Sequence, residues 1–138
     1  MLKILLVDDD PLLTEMYSQK LVKDGFEVHK AVDGEQGLEL LKKEKPHLVL
    51  LDIMMPKING LDVLKKIKED PDTQIQNTPV ILLTNLARDM KDITFGLELG
   101  AVTYLVKSRV KPDQVVAKVK EILQASGENL PPAAGAMS

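Results

Sequence analysis

Carboxylates follow two apolar segments of the sequence at the point where each segment ends. The acidic triplet Asp8–Asp10 comes directly after the apolar residues 4–7. Asp52 follows the apolar residues 48–51 in the same way. Carboxylates that are held close together repel one another, so some of them must bind a proton or share a cation. Because an oxygen-only ligand set without His or Cys favours a hard octahedral ion, Mg²⁺ is the natural candidate.

A hydroxyl group and an ammonium group end two further apolar segments. Thr84 follows residues 80–83, and Lys107 follows residues 101–106. If these segments are parallel strands, their carboxyl ends meet where open α/β sheets bind ligands. One carboxylate can then act as nucleophile toward a phosphoryl group, with Lys107 supplying a positive charge and Thr84 a hydrogen bond.

Each of these residues also has a simpler interpretation. Asp10 before Pro11 is suited to cap a helix, and Asp52 could be an ordinary turn residue. Thr84 could cap the helix that follows it, and Lys107 could be one of many solvated lysines. It would be an unusual coincidence for all four of these polar features to follow predicted strands at the same end of the sheet. The sequence therefore favours a single site to which all of them contribute.

The apolar segments alternate with amphipathic segments of helical period, and this predicts a βα unit repeated five times. Short continuous apolar segments suit the strands of a parallel sheet that is covered on both faces. One segment partly alternates apolar and polar residues, which predicts an edge strand at residues 26–32. The predicted strands lie at residues 4–7, 26–32, 48–51, 80–83 and 101–106. The helices between and after them are predicted from apolar residues at helical spacing, of which Leu38 and Leu41 are expected to face inward: Leu13, Met16, Tyr17 and Leu21; Leu38 and Leu41; Val63, Leu64 and Ile67; Met90, Ile93 and Leu97; Val115, Val119, Ile122 and Leu123.

Capping residues mark the helix ends in the sequence. Asp33 is suited to cap the second helix, with Gln36 placed to complete a capping box. Pro112 suits the first turn of the last helix. The tail from Ala125 onward is rich in Ala, Pro and Gly and has no periodicity, so we expect it to be disordered or a linker stub.

The composition limits the classes of protein to which the chain can belong. Its 138 residues suit one domain with a single substantial core. It has no Cys, so no zinc-thiolate site or thiol nucleophile is expected. With a net charge of −3 and no basic cluster with interleaved aromatics, we expect no direct contact with nucleic acid. No apolar run is long enough to cross a bilayer and the N-terminus lacks a signal peptide, so we expect a cytoplasmic protein without a membrane partner.

Four motifs together resemble the receiver domain of bacterial response regulators, of the chemotaxis-regulator type. The motifs are Val7-Asp8-Asp9-Asp10, the segment from Leu51 through Asp52 and Met54-Met55-Pro56 to Gly60, Leu83-Thr84, and Gly100-Ala101 with Tyr104 to Lys107. The resemblance covers nearly the whole chain and implies a receiver domain at residues 2–124, followed by the tail at 125–138. It also implies an α/β fold of the flavodoxin-like (βα)5 type. In that fold a five-stranded parallel sheet has the strand order 2-1-3-4-5 and helices on both faces.

The resemblance implies a role for each candidate site residue. Asp52 resembles the phosphoacceptor, and the remaining residues resemble its metal ligands and the groups that respond to the phosphoryl group. The implied Mg²⁺ ligands are Asp8, Asp9, Asp52 and the backbone carbonyl of Met54. The implied switch and phosphoryl-contacting residues are Thr84, Tyr104 and Lys107.

The expected function is a phosphorylation-dependent signalling switch in a two-component phosphorelay. A histidine kinase or histidine phosphotransfer protein would donate the phosphoryl group to Asp52. The face formed by the fourth strand, the helix after it and the fifth strand would then change shape, and an effector protein or output domain would bind it. The domain would not be an enzyme beyond assisting its own phosphorylation and dephosphorylation.

Two residues depart from the family pattern. Ser108 stands where the family usually has Pro after a cis peptide bond, so the Lys107–Ser108 bond is expected to be trans or strained. We expect Lys107 still to reach the site, but less rigidly. Asn85 stands where the family commonly has a smaller residue, and we expect its side chain to restrict the approach of water to the phosphoryl group.

Two other functions remain open at the level of the sequence. A phosphatase of the haloacid-dehalogenase type also places a nucleophilic Asp after its first strand, and Asp8-x-Asp10 fits this superficially. However, Leu12 stands where that family has Thr or Val, and the chain is short for that fold. A receiver-like interaction module that is no longer phosphorylated is the other alternative, and Ser108 is the feature that keeps it open.

Overall fold

The structure, a computed structural model, describes residues 1–55 and 57–131. Within these ranges, only the backbone is described for residues 86–89. The described strands are β1 (Lys3–Val7), β2 (Glu27–Ala31), β3 (Leu48–Asp52), β4 (Val80–Thr84) and β5 (Thr103–Val106). The described helices are α1 (Pro11–Lys23), α2 (Gly34–Glu44), α3 (Gly60–Lys68), α4 (Thr73–Gln76), α5 (Leu86–Leu99) and α6 (Pro112–Ala125). Each strand and helix that the sequence predicts is present.

The five strands form one parallel sheet in the order β2-β1-β3-β4-β5, which confirms the predicted fold class and strand order. The predicted edge strand, β2, lies at one edge, and β5 lies at the other. Because every strand is parallel, all the carboxyl ends lie on the same side of the sheet. The chain leaves β1 in one direction to β2 and returns to β3 on the other side, and ligands of such folds bind at this reversal.

Alternate residues of each strand enter two apolar cores, one on each face of the sheet. Ile4 and Leu6 pack in one cluster with Tyr17 of α1 and with the inner side of α6. Leu5 and Val7 pack in the other cluster with residues of α2, α3, α4 and α5. Strands buried on both faces explain why the sequence shows continuous apolar runs instead of alternation.

Three of the apolar residues that mark the predicted helices are exposed. Met16 is 44% exposed, Met90 is 55% exposed and Leu97 is 39% exposed. A helix that packs on a sheet buries only a stripe of its surface, and successive residues lie about 100° apart around the axis. Tyr17 and Ile93 occupy the buried stripes of α1 and α5, so their apolar neighbours reach the solvent-facing margin.

The helix α4 was not predicted, because it has only four residues and shows no helical period. Asp72 caps it by accepting a hydrogen bond from Gln74 N at 2.9 Å. Its Ile75 is 3% exposed and joins the core on that face of the sheet. The short helix therefore closes a connection between α3 and β4 that the sequence shows only as polar residues.

The predicted helix caps are found, with one change of partner. Asp10 accepts hydrogen bonds from the first turn of α1, and Asp33 Oδ1 accepts one from Gln36 N at 2.8 Å. The return bond of the capping box differs from the prediction, since Gln36 Oε1 accepts from Val32 N at 2.8 Å. Pro112 begins α6 as predicted.

The chain continues along the domain after α6. Leu130 is partly buried against the core on the α1 and α6 side, and Pro131 lies against Gly25. The remainder of the predicted tail, residues 132–138, lies outside the described residues. None of the described helices combines the length and the apolar character that a bilayer crossing requires.

Candidate functional site

Four strands bring the predicted site residues to one end of the sheet. Asp8 follows Val7, which pairs with Leu51, so Asp8 and Asp52 extend neighbouring strands. On the other side of β3, Asp52 pairs with Leu83, the residue before Thr84. Lys107 extends β5 by one residue, and its backbone N–H donates to Thr84 O at 2.9 Å.

Lys107 joins the two carboxylates at the centre of the site. Its Nζ lies 2.8 Å from Asp8 Oδ2 and 3.0 Å from Asp52 Oδ2. Asp8 is fully buried and Asp52 is 3% exposed, so both charges are largely removed from water. Burying a charge is costly unless it is paired, and one ammonium group between two carboxylates provides that pairing.

The second oxygen of each buried carboxylate accepts a backbone hydrogen bond. Asp10 N donates to Asp8 Oδ1 at 2.9 Å, and Met54 N donates to Asp52 Oδ1 at 3.2 Å. Each donor lies two residues after its acceptor, in the loop that follows the strand. The loops after β1 and β3 therefore hold the carboxylates in a defined orientation.

The site alters the protonation of its own groups. Burial and the neighbouring charge of Asp8 raise the pKa of Asp52, Lys107 and the Met54 backbone hydrogen bond lower it, and the net result is a pKa raised from 3.8 to about 7. Burial acts to lower the pKa of Lys107, but its hydrogen bonds and ion pairs with Asp8 and Asp52 outweigh this, so that pKa lies above its ordinary value. The centre thus holds more negative charge than Lys107 neutralises.

The donor set fits a hard divalent cation. Asp8, Asp9 and Asp52 each offer an oxygen, and these oxygens lie within 4.8 Å of one another. Apart from its ion pair with Lys107, Asp8 Oδ2 has no hydrogen-bond partner among the described residues, although it is buried. Asp9 is exposed at the rim, so the cluster is open to solvent on one side. Oxygen ligands without nitrogen or sulfur favour Mg²⁺ over transition metals.

Thr84, Tyr104 and Met54 stand where the sequence places them, at or beside this end of the sheet. Thr84 is fully buried at the end of β4, and Tyr104 on β5 is 36% exposed. Met54 is 54% exposed in the loop after β3. The roles predicted for the Met54 carbonyl, the Thr84 hydroxyl and the Tyr104 ring remain predictions.

Gly60 is a residue of the site whose role sequence reasoning missed. A Cβ atom at this position would overlap the carbonyl oxygen of Asp52 and lie 2.8 Å from Ile53 Cα. Gly60 N also donates to Ile53 O at 2.8 Å. The start of α3 therefore packs directly on the backbone of the central aspartate. The sequence signal that could have indicated this role is the glycine at the end of the motif that begins at Asp52. Pro56, which lies between the two residues, is outside the described residues.

The two departures from the family pattern have structural outcomes. The Lys107–Ser108 peptide bond is trans, and Lys107 reaches both carboxylates, as expected. Asn85 is exposed directly after Thr84, at the start of α5. Its predicted effect on water remains a prediction.

Comparisons with known proteins agree on one family. Residues 4–120 match the family described as response regulator receiver domain. The transcriptional regulatory protein CpxR of Escherichia coli is 46% identical over 124 residues, which cover 90% of this chain and 50% of that protein. The DNA-binding response regulator MtrA of Mycolicibacterium smegmatis is 39% identical over 122 residues, covering 88% of this chain and 50% of that protein. The chain thus spans about half the length of these curated relatives.

A solved structure gives the same result. A CheY-like response regulator receiver domain protein from Methanospirillum hungatei superposes with a TM-score of 0.81 at 30% sequence identity. The match covers 91% of this chain and 95% of that one.

Proposed function

The chain belongs to the response regulator receiver domain family, and we propose that Asp52 is its phosphoacceptor. Receiver domains of two-component response regulators act as phosphorylation-dependent switches. The observation that carries the assignment is the position of the Asp52 carboxylate. Asp52 ends the strand between β1 and β4, its oxygens lie near those of Asp8 and Asp9, and Lys107 Nζ contacts both Asp52 and Asp8.

The proposed reaction is a phosphoryl transfer to a carboxylate oxygen of Asp52. That oxygen forms a bond to phosphorus while the bond from phosphorus to the donor breaks, and the leaving group of the donor takes up a proton. Mg²⁺ held by Asp8, Asp9, Asp52 and the Met54 carbonyl would supply charge neutralisation for the phosphoryl oxygens. Asp8 is fully buried and Asp9 is exposed, so these two residues suit the roles of metal ligands at the floor and the rim.

The proposed switch follows from the new charge at Asp52. Lys107 now contacts carboxylate oxygens at 2.8 and 3.0 Å, and a phosphoryl group would offer it additional oxygens with more negative charge. The Thr84 hydroxyl would donate a hydrogen bond to the same group. These contacts favour one conformer of β4, α5 and β5, and Tyr104 would become more buried in it. An effector that binds that conformer more tightly detects the signal as a population shift.

The proposed partners are a phosphodonor and an effector. A histidine kinase or histidine phosphotransfer protein would supply the phosphoryl group, and an effector protein or output domain would bind the β4, α5 and β5 face. We assign no direct contact with nucleic acid or membrane to this domain, and we place it in the cytoplasm. Its only chemistry would be its own phosphorylation and dephosphorylation.

Phosphorylation by a small-molecule donor tests the assignment. The wild-type protein, incubated with acetyl phosphate and Mg²⁺, should gain one phosphoryl group per chain by intact-protein mass spectrometry. Asp52→Asn should gain none, because the nucleophilic oxygen is replaced by an amide. Omission of Mg²⁺ should abolish the reaction in the wild type.

Asp10→Asn is the matched control, because it changes another acid of the site region and Asn caps helices as well as Asp does. It should be phosphorylated like the wild type. Modification of Asp8 would favour the haloacid-dehalogenase mechanism, and no modification of any variant would favour the interaction module.

A further inference from the structure

A second cluster of metal-ligating side chains lies at the opposite end of the sheet from Asp52. Glu27 and His29 are two residues apart on the edge strand β2, so their side chains lie on the same face of the sheet. Glu44 is the last residue of α2, the helix that packs over that face. The cluster is independent of the proposed phosphorylation, because Lys3, which pairs with Glu27, begins β1, whereas Asp8 follows its end.

The donor atoms of this cluster converge on one ring nitrogen. His29 Nε2 lies 2.6 Å from Glu27 Oε2 and 3.5 Å from Glu44 Oε1. The three side chains together can place one ligand atom each within 4.8 Å of one another. In a tetrahedral zinc site with bonds of about 2.0–2.1 Å, neighbouring ligand atoms are about 3.3 Å apart. The observed separations therefore require movements of less than about 1 Å for the His29 pairs.

The cluster is shielded from water more than an ordinary surface ion pair. The side chains of His29 and Glu44 are 26% and 20% exposed, and that of Glu27 is 39% exposed. Lys3 Nζ lies 3.2 Å from Glu44 Oε1 and is the nearby cation that pairs with this carboxylate. The two carboxylates attract a divalent cation, whereas Lys3 and the Met1 ammonium group, which also acts on Glu27, oppose its binding.

We propose that Glu27, His29 and Glu44 form a binding site for a divalent transition metal, with Zn²⁺ as the best fit. One imidazole and two carboxylates are a donor set that zinc accepts, with water completing the tetrahedron. Mg²⁺ prefers oxygen-only ligands and belongs at the Asp8, Asp9 and Asp52 cluster. The two sites therefore differ in the metal that they select.

Metal binding here would fasten the edge strand of the sheet to a helix. Glu27 and His29 belong to β2, which has a neighbouring strand on one side only, and Glu44 belongs to α2. A ligand that binds the folded state alone stabilises it in proportion to its concentration above the dissociation constant. Zn²⁺ should accordingly raise the thermal unfolding midpoint of the protein.

Calorimetric titration of the tag-free protein with Zn²⁺ tests the proposed site at Glu27, His29 and Glu44. The titration is done in excess Mg²⁺, so that Mg²⁺ would occupy the proposed site at the aspartate cluster. The wild type should bind one Zn²⁺ per chain with a dissociation constant on the order of micromolar. His29→Gln and Glu44→Gln should each weaken binding by at least about tenfold. Neither variant should show the rise in unfolding midpoint that Zn²⁺ produces in the wild type.

Two controls separate this site from the rest of the chain. His47→Gln changes the other of the two histidines and should leave Zn²⁺ affinity unchanged. Asp52→Asn should also bind Zn²⁺ like the wild type, and a loss of binding in it would assign the metal to the aspartate cluster instead.

Lys3→Met should increase the affinity for Zn²⁺, a result that a variant with a destabilised fold would not give. Removing the ammonium group frees Glu44 and deletes a repelling charge, so Zn²⁺ should bind several-fold more tightly. Undetectable Zn²⁺ binding by the wild type, or equal affinity in His29→Gln, would overturn the proposal and leave a hydrogen-bonded ion-pair cluster only.

Discussion

Asp52 experiences opposing effects at the scale of the single residue. Its burial and the neighbouring Asp8 disfavour the charged carboxylate, whereas Lys107 favours it, and the balance raises its pKa to about 7. The folded protein therefore keeps the Asp52 carboxylate in a position that disfavours its charge. A bound cation or a transferred phosphoryl group would change that balance, as the proposed role of phosphoacceptor requires.

The protonation of Asp52 should make stability depend on pH in metal-free buffer. A pKa raised from 3.8 to about 7 means that the folded state binds this proton more tightly than the unfolded state does. Below pH about 4 the side chain of Asp52 is protonated in both the folded and the unfolded state, so its ionisation does not affect the free energy of unfolding. As pH rises from about 4 to about 7, its ionisation increasingly destabilises the folded state. Asp52→Asn should be more stable than the wild type by about 1–3 kcal/mol at pH about 8, with the gain vanishing near pH about 4.

Urea unfolding in EDTA across this pH range measures the effect. Asp10→Asn, at the exposed cap of α1, is the matched control for an Asp-to-Asn change outside the buried pair. An Asp52→Asn protein that is no more stable than the wild type at alkaline pH would contradict the prediction.

Asn85 should lengthen the lifetime of the phosphoryl group on Asp52. It is exposed directly after Thr84, and a longer side chain at this position restricts the line along which water attacks. Asn85→Ala should lose the phosphoryl group about two- to tenfold faster, equivalent to up to about 1.4 kcal/mol of barrier. Phosphate-affinity electrophoresis after donor removal measures the decay, with Lys91→Ala on the exposed side of α5 as control. Equal decay of the wild type and Asn85→Ala would dispose of this role.

The connection from β3 to α3 is the feature that matters most at the scale of elements. Asn59 caps α3 by accepting a hydrogen bond from Asp62 N at 3.0 Å, and Gly60 lets the helix begin against the backbone of Asp52. Lys57, with a φ of 67°, turns the loop through the left-handed region just before this cap. The loop that would supply the Met54 carbonyl is therefore held at both ends by close backbone contacts.

Gly60→Ala should disturb both stability and the site. The new methyl group would overlap the Asp52 carbonyl, which is backbone and can move only if α3 shifts. We expect a loss of about 2–4 kcal/mol in the free energy of unfolding, with weaker Mg²⁺ binding. Asp62→Ala, an exposed change in the same helical turn, should cost less than about 1 kcal/mol and leave Mg²⁺ affinity intact. Similar behaviour of the two variants would refute the close-packing argument.

At the scale of the whole molecule, one parallel sheet with two apolar cores supports both ends of the domain. The carboxyl end carries Asp8, Asp52, Thr84 and Lys107, and the amino end carries the cluster at Glu27. The chain after α6 also belongs to this body, since Leu130 packs on the core between the sheet, α1 and α6.

Leu130→Ala should therefore lower the stability of the whole domain. Its side chain is partly buried against the core, so truncation should cost about 1 kcal/mol, less than for a fully buried leucine. Asn129→Ala, at the exposed neighbouring position, should change stability by less than about 0.5 kcal/mol. Thermal unfolding of both variants distinguishes them, and equal midpoints would show that the segment after α6 contributes nothing.

The sequence predicted the strands and the long helices, but not how deeply each helix residue would be buried. Continuous apolar runs such as residues 48–51 are unambiguous because a strand buried on both faces has no polar side. Apolar residues at helical spacing, such as Met16 and Met90, mark helices that are present, although these two side chains lie at the margin of the core. Helical period places residues on a side of the helix, but the width of the buried stripe depends on the neighbouring elements.

The sequence by itself determined which residues meet at the central site. Asp8, Asp52, Thr84 and Lys107 each end an apolar strand, and parallel strands must present those ends together. Only the tertiary structure decided that Lys107 bridges both buried carboxylates, that Gly60 packs against the Asp52 carbonyl, and that Glu27, His29 and Glu44 meet. These contacts join residues from different elements, and their distances depend on sheet twist, helix placement and side-chain rotamers that local patterns do not encode.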